Sequence, residues 1–147
     1  MKNLFLIVLI LVFSACNSNK KFSDFDYSYS RSGGYAPIYE NLLIKGNTVT
    51  YSFEGQGKNI KKSFKISSED LRKIENTLTN NNFRTIQEDY KKVYDNISIA
   101  INVKKGDNSG SKSDASFIMK KDQERWNAVV AVFHEIINGK GNLATTE

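Results

Sequence analysis

One histidine, sixteen acidic residues and a tyrosine-rich segment around an arginine are what this 147-residue chain offers for chemistry. His134 could serve as a general base or a metal ligand. A base needs a nucleophile beside it, and Cys16 is the single cysteine. Helical spacing puts His134 about 80° round from Trp126, at the margin of an apolar stripe, so a packed boundary histidine is the plainer reading. One His and one Cys are also too few for a His/Cys zinc site. Acidic pairs stand at Asp24/Asp26, Glu69/Asp70 and Glu88/Asp89. Asp24 and Asp26 share a strand parity and could work as a carboxylate pair in a small hydrolase, although solvent-side strand residues explain them as well. Glu69 and Asp70 suit the positive end of a helix. Asp107, Asn108 and Asp114 occupy a polar loop that could hold Ca²⁺ but lack EF-hand spacing. No Gly-rich phosphate loop, HExxH or GxSxG occurs. The pattern therefore implies no enzyme, no cofactor and no metal.

The strongest candidate for recognition is the segment SYSRSGGYAPIYE, Ser28 to Glu40. It sets Tyr29, Arg31, Tyr35 and Tyr39 around Gly33 and Gly34. Tyrosine and arginine are favoured in binding hot spots, and functional side chains often sit on such loops. The competing reading is core tyrosines flanking a turn.

Chemistry of another kind is written at the amino end. Lys2 precedes ten consecutive apolar residues, Leu4 to Phe13, and then Phe13-Ser14-Ala15-Cys16. A spanning helix needs roughly 20 apolar residues, so this run fits the h-region of an export signal. Phe13-Ser14-Ala15-Cys16 resembles the lipobox of bacterial lipoproteins, with Phe13 where Leu is usual. The resemblance implies that signal peptidase II cuts between Ala15 and Cys16 and that Cys16 carries the lipid. Stable anchoring takes two or more acyl chains, each methylene contributing about 0.8 kcal/mol. A lipidated Cys16 would hold the domain on a membrane without a spanning helix. The alternative is an ordinary signal or uncleaved anchor with an incidental cysteine.

These assignments divide the chain into a signal peptide (1–15), a lipidated tether (16–21), one domain (22–139) and a loose tail (140–147). Removing 15 residues from 147 leaves 132, the size of one domain with a real core. No disulfide is possible with one cysteine, a composition compatible with an oxidising compartment. Net charge is +5, falling to +4 when Lys2 leaves. Lysine outnumbers arginine 17 to 4, and arginine is the better fork for phosphate and base edges, so nucleic acid is a poor fit.

Elements follow from periodicity. Phe25, Tyr27 and Tyr29 alternate with polar residues as a half-buried strand does, and Arg31 to Pro37 breaks it. Gly46-Asn47 joins two strands in a register that sets Ile44 against Val49 and Leu42 against Tyr51. Gly55 to Gly57 turns into a strand over Asn59 to Ile66. There Lys62 shares the parity of Ile60 and Phe64, which suits an edge strand. Ser67 and Asp70 approximate a capping box for a helix carrying Leu71, Ile74 and Leu78, ended by Asn80 to Asn82. Phe83 and Ile86 fold back over the core, with Tyr90 and Tyr94 in an irregular link. Ile97, Ile99, Ile101 and Val103 alternate cleanly. A polar loop over Lys104 to Asp114 and a returning strand at Ala115, Phe117 and Met119 follow. Asp122 caps a last helix whose stripe is Trp126, Val129, Val130, Phe133, Ile136 and Ile137, with Gly139 at its C′ position.

The order β-β-β-β-α-β-β-α predicts an α+β domain with a mainly antiparallel sheet of about five or six strands and two helices packed on one face. The other face is left partly open. Ser67 to Phe83 and Gly34 to Tyr39 are similar to small Gram-negative lipoproteins built on domains of unknown function, a resemblance that implies the fold and no activity. The sequence thus points to a membrane-anchored envelope lipoprotein, on the outer membrane at its periplasmic or surface side, with a non-catalytic protein-binding domain. A glycan-binding module using exposed tyrosines is the alternative.

Overall fold

The structure is a computed structural model that describes residues 24–91 and 95–141. The signal and tether, Cys16, Tyr94 and most of the carboxyl tail lie outside the described residues. The first four strands form an antiparallel meander, β1 (Tyr27–Gly33), β2 (Ile38–Lys45), β3 (Thr48–Gly55) and β4 (Lys58–Lys65). Helix α1 (Ser68–Asn80) and a 3-10 turn (Phe83–Thr85) lead to β5 (Ile97–Val103) and β6 (Gly110–Ser113). A second 3-10 turn (Lys120–Asp122) opens α2 (Gln123–Gly141). The fold is α+β, and the six strands lie in the order β4-β3-β2-β1-β5-β6, every neighbouring pair antiparallel.

Turn chemistry fixes the meander. At the β2–β3 hairpin Gly46 takes a positive φ of 55°, and the register sets Ile44 opposite Val49 and Leu42 opposite Tyr51, as the sequence predicts. At β3–β4 both central residues, Gln56 and Gly57, have positive φ, the pattern that matches strand twist. β1 is central, pairing with β2 on one side and β5 on the other. It runs on through Arg31 and Ser32 to Gly33, where the sequence predicts a break. The extension is possible because Gly33 pairs with Ile38 and Ile97, in a spot where a Cβ would lie 2.4 Å from the Asn96 carbonyl oxygen.

Alternation sends Tyr27, Tyr29, Leu42, Ile44, Val49, Tyr51, Ile101 and Val103 to one face, where all are buried. Helix α2 covers that face with Trp126, Val129, Val130, Val132, Phe133 and Ile136. Helix α1 begins with the expected capping box, Ser67 and Asp70 bonding reciprocally. Its fully buried residues are Ile74 and Leu78. So narrow a stripe cannot cover a sheet, and α1 packs chiefly on α2. It meets the strands at the start of β1, where the Tyr27 hydroxyl donates to Glu75 at 2.9 Å. The expectation of two helices sharing one face is corrected accordingly.

Three further expectations change. The returning strand is Gly110–Ser113, inside the predicted loop, held by pairing with β5. Ala115 to Met119 instead forms a turn and one bridge, Ile118 to Glu88, which buries Ile118 and leaves Phe117 half exposed. Gly139 lies within α2, which continues to Gly141 rather than stopping before a tail at 140. Phe83 and Ile86 are fully buried as predicted, and Tyr90 is exposed.

Candidate functional site

The Ser28–Glu40 segment does not present its four candidate residues together. β1 alternation turns Tyr29 into the core, where it is fully buried against Phe133 and His134. Arg31 follows the same parity, half-buried, and its Nε donates to Glu40 Oε2 at 2.8 Å. Tyr39, on β2 opposite Ser32, has the reverse parity and stands half exposed on the open face. Tyr35, in the turn between β1 and β2, is 100% exposed. The expected surface is thus reduced to Tyr35 and Tyr39, and Tyr29 is a core residue.

What the structure does bring together is a polar network under the end of α2. The hydroxyl of Tyr29 and Nε2 of His134 are 2.8 Å apart. Glu40, only 7% exposed, accepts from the Tyr51 hydroxyl at 2.8 Å and from Arg31. Burial, followed by the negative charge of Glu40, pushes the Tyr29 hydroxyl well above the usual phenol range. Tyr51 is raised by burial and by its bond to Glu40. Burial lowers His134, with the Arg31 charge acting in the same sense and Glu40 opposing. Burial thus favours the neutral imidazole, and which of the two groups donates depends on its tautomer. These bonds tie β1 to α2 through Tyr29 and His134, and β1 and β3 to β2 through Glu40. Sequence reasoning missed the network because Glu40 and Tyr51 looked like ordinary strand residues, and Tyr29 and His134 lie 105 positions apart. The signal that could have found it was parity: Glu40 shares its strand face with Leu42 and Ile44.

The other acidic candidates are also engaged. Lys45 pairs with Asp24 at 2.9 Å and Asp26 at 3.2 Å. Asp26 further accepts the Gly46 amide at 2.8 Å, the main cause of its lowered pKa. These two carboxylates pin the hairpin against the entry of β1. Asp114 accepts the Ile99 amide at 2.6 Å and the Trp126 indole N–H at 3.1 Å. Asn108 donates to Thr79, so the Asp107, Asn108 and Asp114 set is dispersed. Glu88 accepts the Ser113 amide at 2.8 Å, and Asp89 pairs with Lys91 at 2.6 Å. Asp122, 2% exposed, accepts the Gln87 amide at 2.9 Å and pairs with Arg125, which lowers its pKa. Among the described residues no three of His, Cys, Asp and Glu stand close enough to hold a metal ion, and no helix is long and apolar enough to cross a membrane.

The face turned away from α2 carries Tyr39 and Leu43 among serine, threonine, asparagine and lysine, with Ser30 and Asn41 paired at its centre. Its small polar side chains can exchange hydrogen bonds with a partner but hold little apolar area. No family model matches the chain, and no curated protein matches it.

Proposed function

We propose that this chain is a lipid-anchored protein of the cell envelope whose folded part is a non-catalytic module that binds another protein. The anchor rests on the ten apolar residues that stop at Phe13-Ser14-Ala15-Cys16. The run is too short to span a bilayer and ends on the one thiol a lipid can occupy. Outer-membrane attachment, on the periplasmic or surface side, is part of the same proposal. The binding role rests on one observation: Tyr35 is fully exposed in the turn between β1 and β2, and Tyr39, four residues on, is half exposed. An amphipathic ring held out by a strand-anchored turn suits an interface anchor. The non-catalytic reading rests on the sequence, which offers no nucleophile–base set and no metal motif.

Native membranes supply the test. Crosslinked capture with lipidated protein should retain a defined partner that Tyr35→Ala with Tyr39→Ala loses; an unchanged partner set overturns the surface. Cys16→Ser should abolish acyl mass and release the protein; membrane retention without acyl mass overturns the anchor. The hydroxyl- and amide-rich open face around Tyr39 favours a second reading, a glycan-binding module. Glycan-array binding lost in Tyr35→Ala would establish it in place of a protein partner.

A further inference from the structure

The two outer strands of the sheet are finished in opposite ways. β6 is four residues long, and its Ser113 amide is already taken by Glu88. β4 is eight residues long, has no proline, and keeps unbroken one-to-one pairing with β3 from Lys58 to Lys65. Its far edge has no paired strand among the described residues. A long open edge is a template for another extended chain. The side chains state which chain it would accept. Lys58, Lys61 and Lys65 are exposed, the strand holds no acid, and among the described residues none of these three lysines makes an ion pair. Lys61 and Lys65 lie on the open face of the sheet, whereas Ile60 and Phe64 lie on the opposite face, partly buried against the core, with Lys62 between them.

We infer that the β4 edge docks an extended acidic peptide segment of a partner protein by strand addition. Backbone hydrogen bonds along the edge hold the peptide. Its acidic side chains meet Lys61 and Lys65, and its alternate apolar side chains lie beside Ile60, Phe64 and the aliphatic stem of Lys62 between them. The same lysines reject a second copy of this chain, because like charges would face each other across the new ladder. The inference goes beyond the tyrosine surface and stands without it.

The experiment titrates the mature full-length protein with a capped eight-residue peptide alternating glutamate and valine. Backbone amide exchange is followed along the chain. The expected result is saturable binding with protection confined to 58–65. Binding should weaken at least tenfold when alternate peptide amides are N-methylated, and at least tenfold in Lys61→Glu with Lys65→Glu. A lysine–valine peptide should bind that reversed variant, which also shows that the variant is folded. Tyr35→Ala with Tyr39→Ala should leave the titration unchanged, so this inference and the proposed tyrosine surface fail separately. Equal binding of the N-methylated peptide, protection elsewhere, no binding at millimolar peptide, or self-association that protects 58–65 without peptide would each overturn it.

Discussion

Tyr29 and Tyr35 stand six positions apart and meet opposite environments. Tyr29 is fully buried with its hydroxyl on His134, and Tyr35 is fully exposed on a turn. The residue type is the same, and so is the neighbourhood in sequence. The end of β1 separates them: the strand directs Tyr29 toward α2, and the turn that follows Gly33 carries Tyr35 off the sheet. The buried ring is committed to packing and to one hydrogen bond. The exposed ring makes no contribution to the core, which leaves it open to a partner. A cluster of tyrosines in sequence is therefore not a surface until each ring has been assigned a face.

The contrast can be broken at several depths. Trp126→Ala tests whether the α2-covered face is the core at all. It should cost about 3–5 kcal/mol in urea unfolding, and a loss under about 1 kcal/mol would misplace that face. Glu40→Ala strands the Tyr51 hydroxyl and the Arg31 guanidinium; about 1–3 kcal/mol is expected, and no loss would mean the network is loosely held. Tyr29→Phe keeps the ring and removes the hydroxyl, leaving His134 Nε2 without its hydrogen-bond partner. That change should cost roughly 1–2 kcal/mol, and crystallographic retention of the Phe133 contact would separate the lost bond from lost packing. Tyr35→Ala should move stability by no more than about 0.5 kcal/mol; a larger change would make Tyr35 structural.

His134 adds a pH dependence with a definite sign. Its folded-state pKa lies below the ordinary 6.5, so the unfolded chain binds the proton more readily. The stabilisation is complete above about pH 6.5 and is lost as pH falls through the folded-state value. Urea midpoints should decline over that window in the wild type and decline less in His134→Gln. Asp26 acts lower: its pKa is depressed from 3.8, and its contribution is lost as pH falls below that value. Equal decline in wild type and His134→Gln as pH falls below 6.5 would show that the imidazole is not the group responsible.

Much of the fold was legible because its causes are local. Gly46-Asn47 chooses a hairpin, and a two-residue turn leaves one register that puts Ile44, Leu42, Val49 and Tyr51 on one face. Ser67 and Asp70 satisfy the first turn of α1 with side chains three positions apart. β6 was not legible. Gly110 to Ser113 has no apolar alternation, and it becomes a strand because β5 offers a partner edge and Glu88 takes the Ser113 amide. The strand parity of Tyr29 was legible, but its bond to His134 was not, since that partner arrives from the far end of the chain.

By itself the sequence determined the order of elements, the antiparallel meander, the one-sided α2 and the apolar run that ends at Cys16. Each depends on spacing, turn residues or length, quantities a chain carries before it folds. Only the tertiary structure decided which tyrosines are buried, that Glu40 and His134 meet buried hydroxyls, that α1 leans on α2, and which sheet edge stays open among the described residues. Those outcomes depend on contacts between residues distant in sequence, whose energies exist only when the chain is closed.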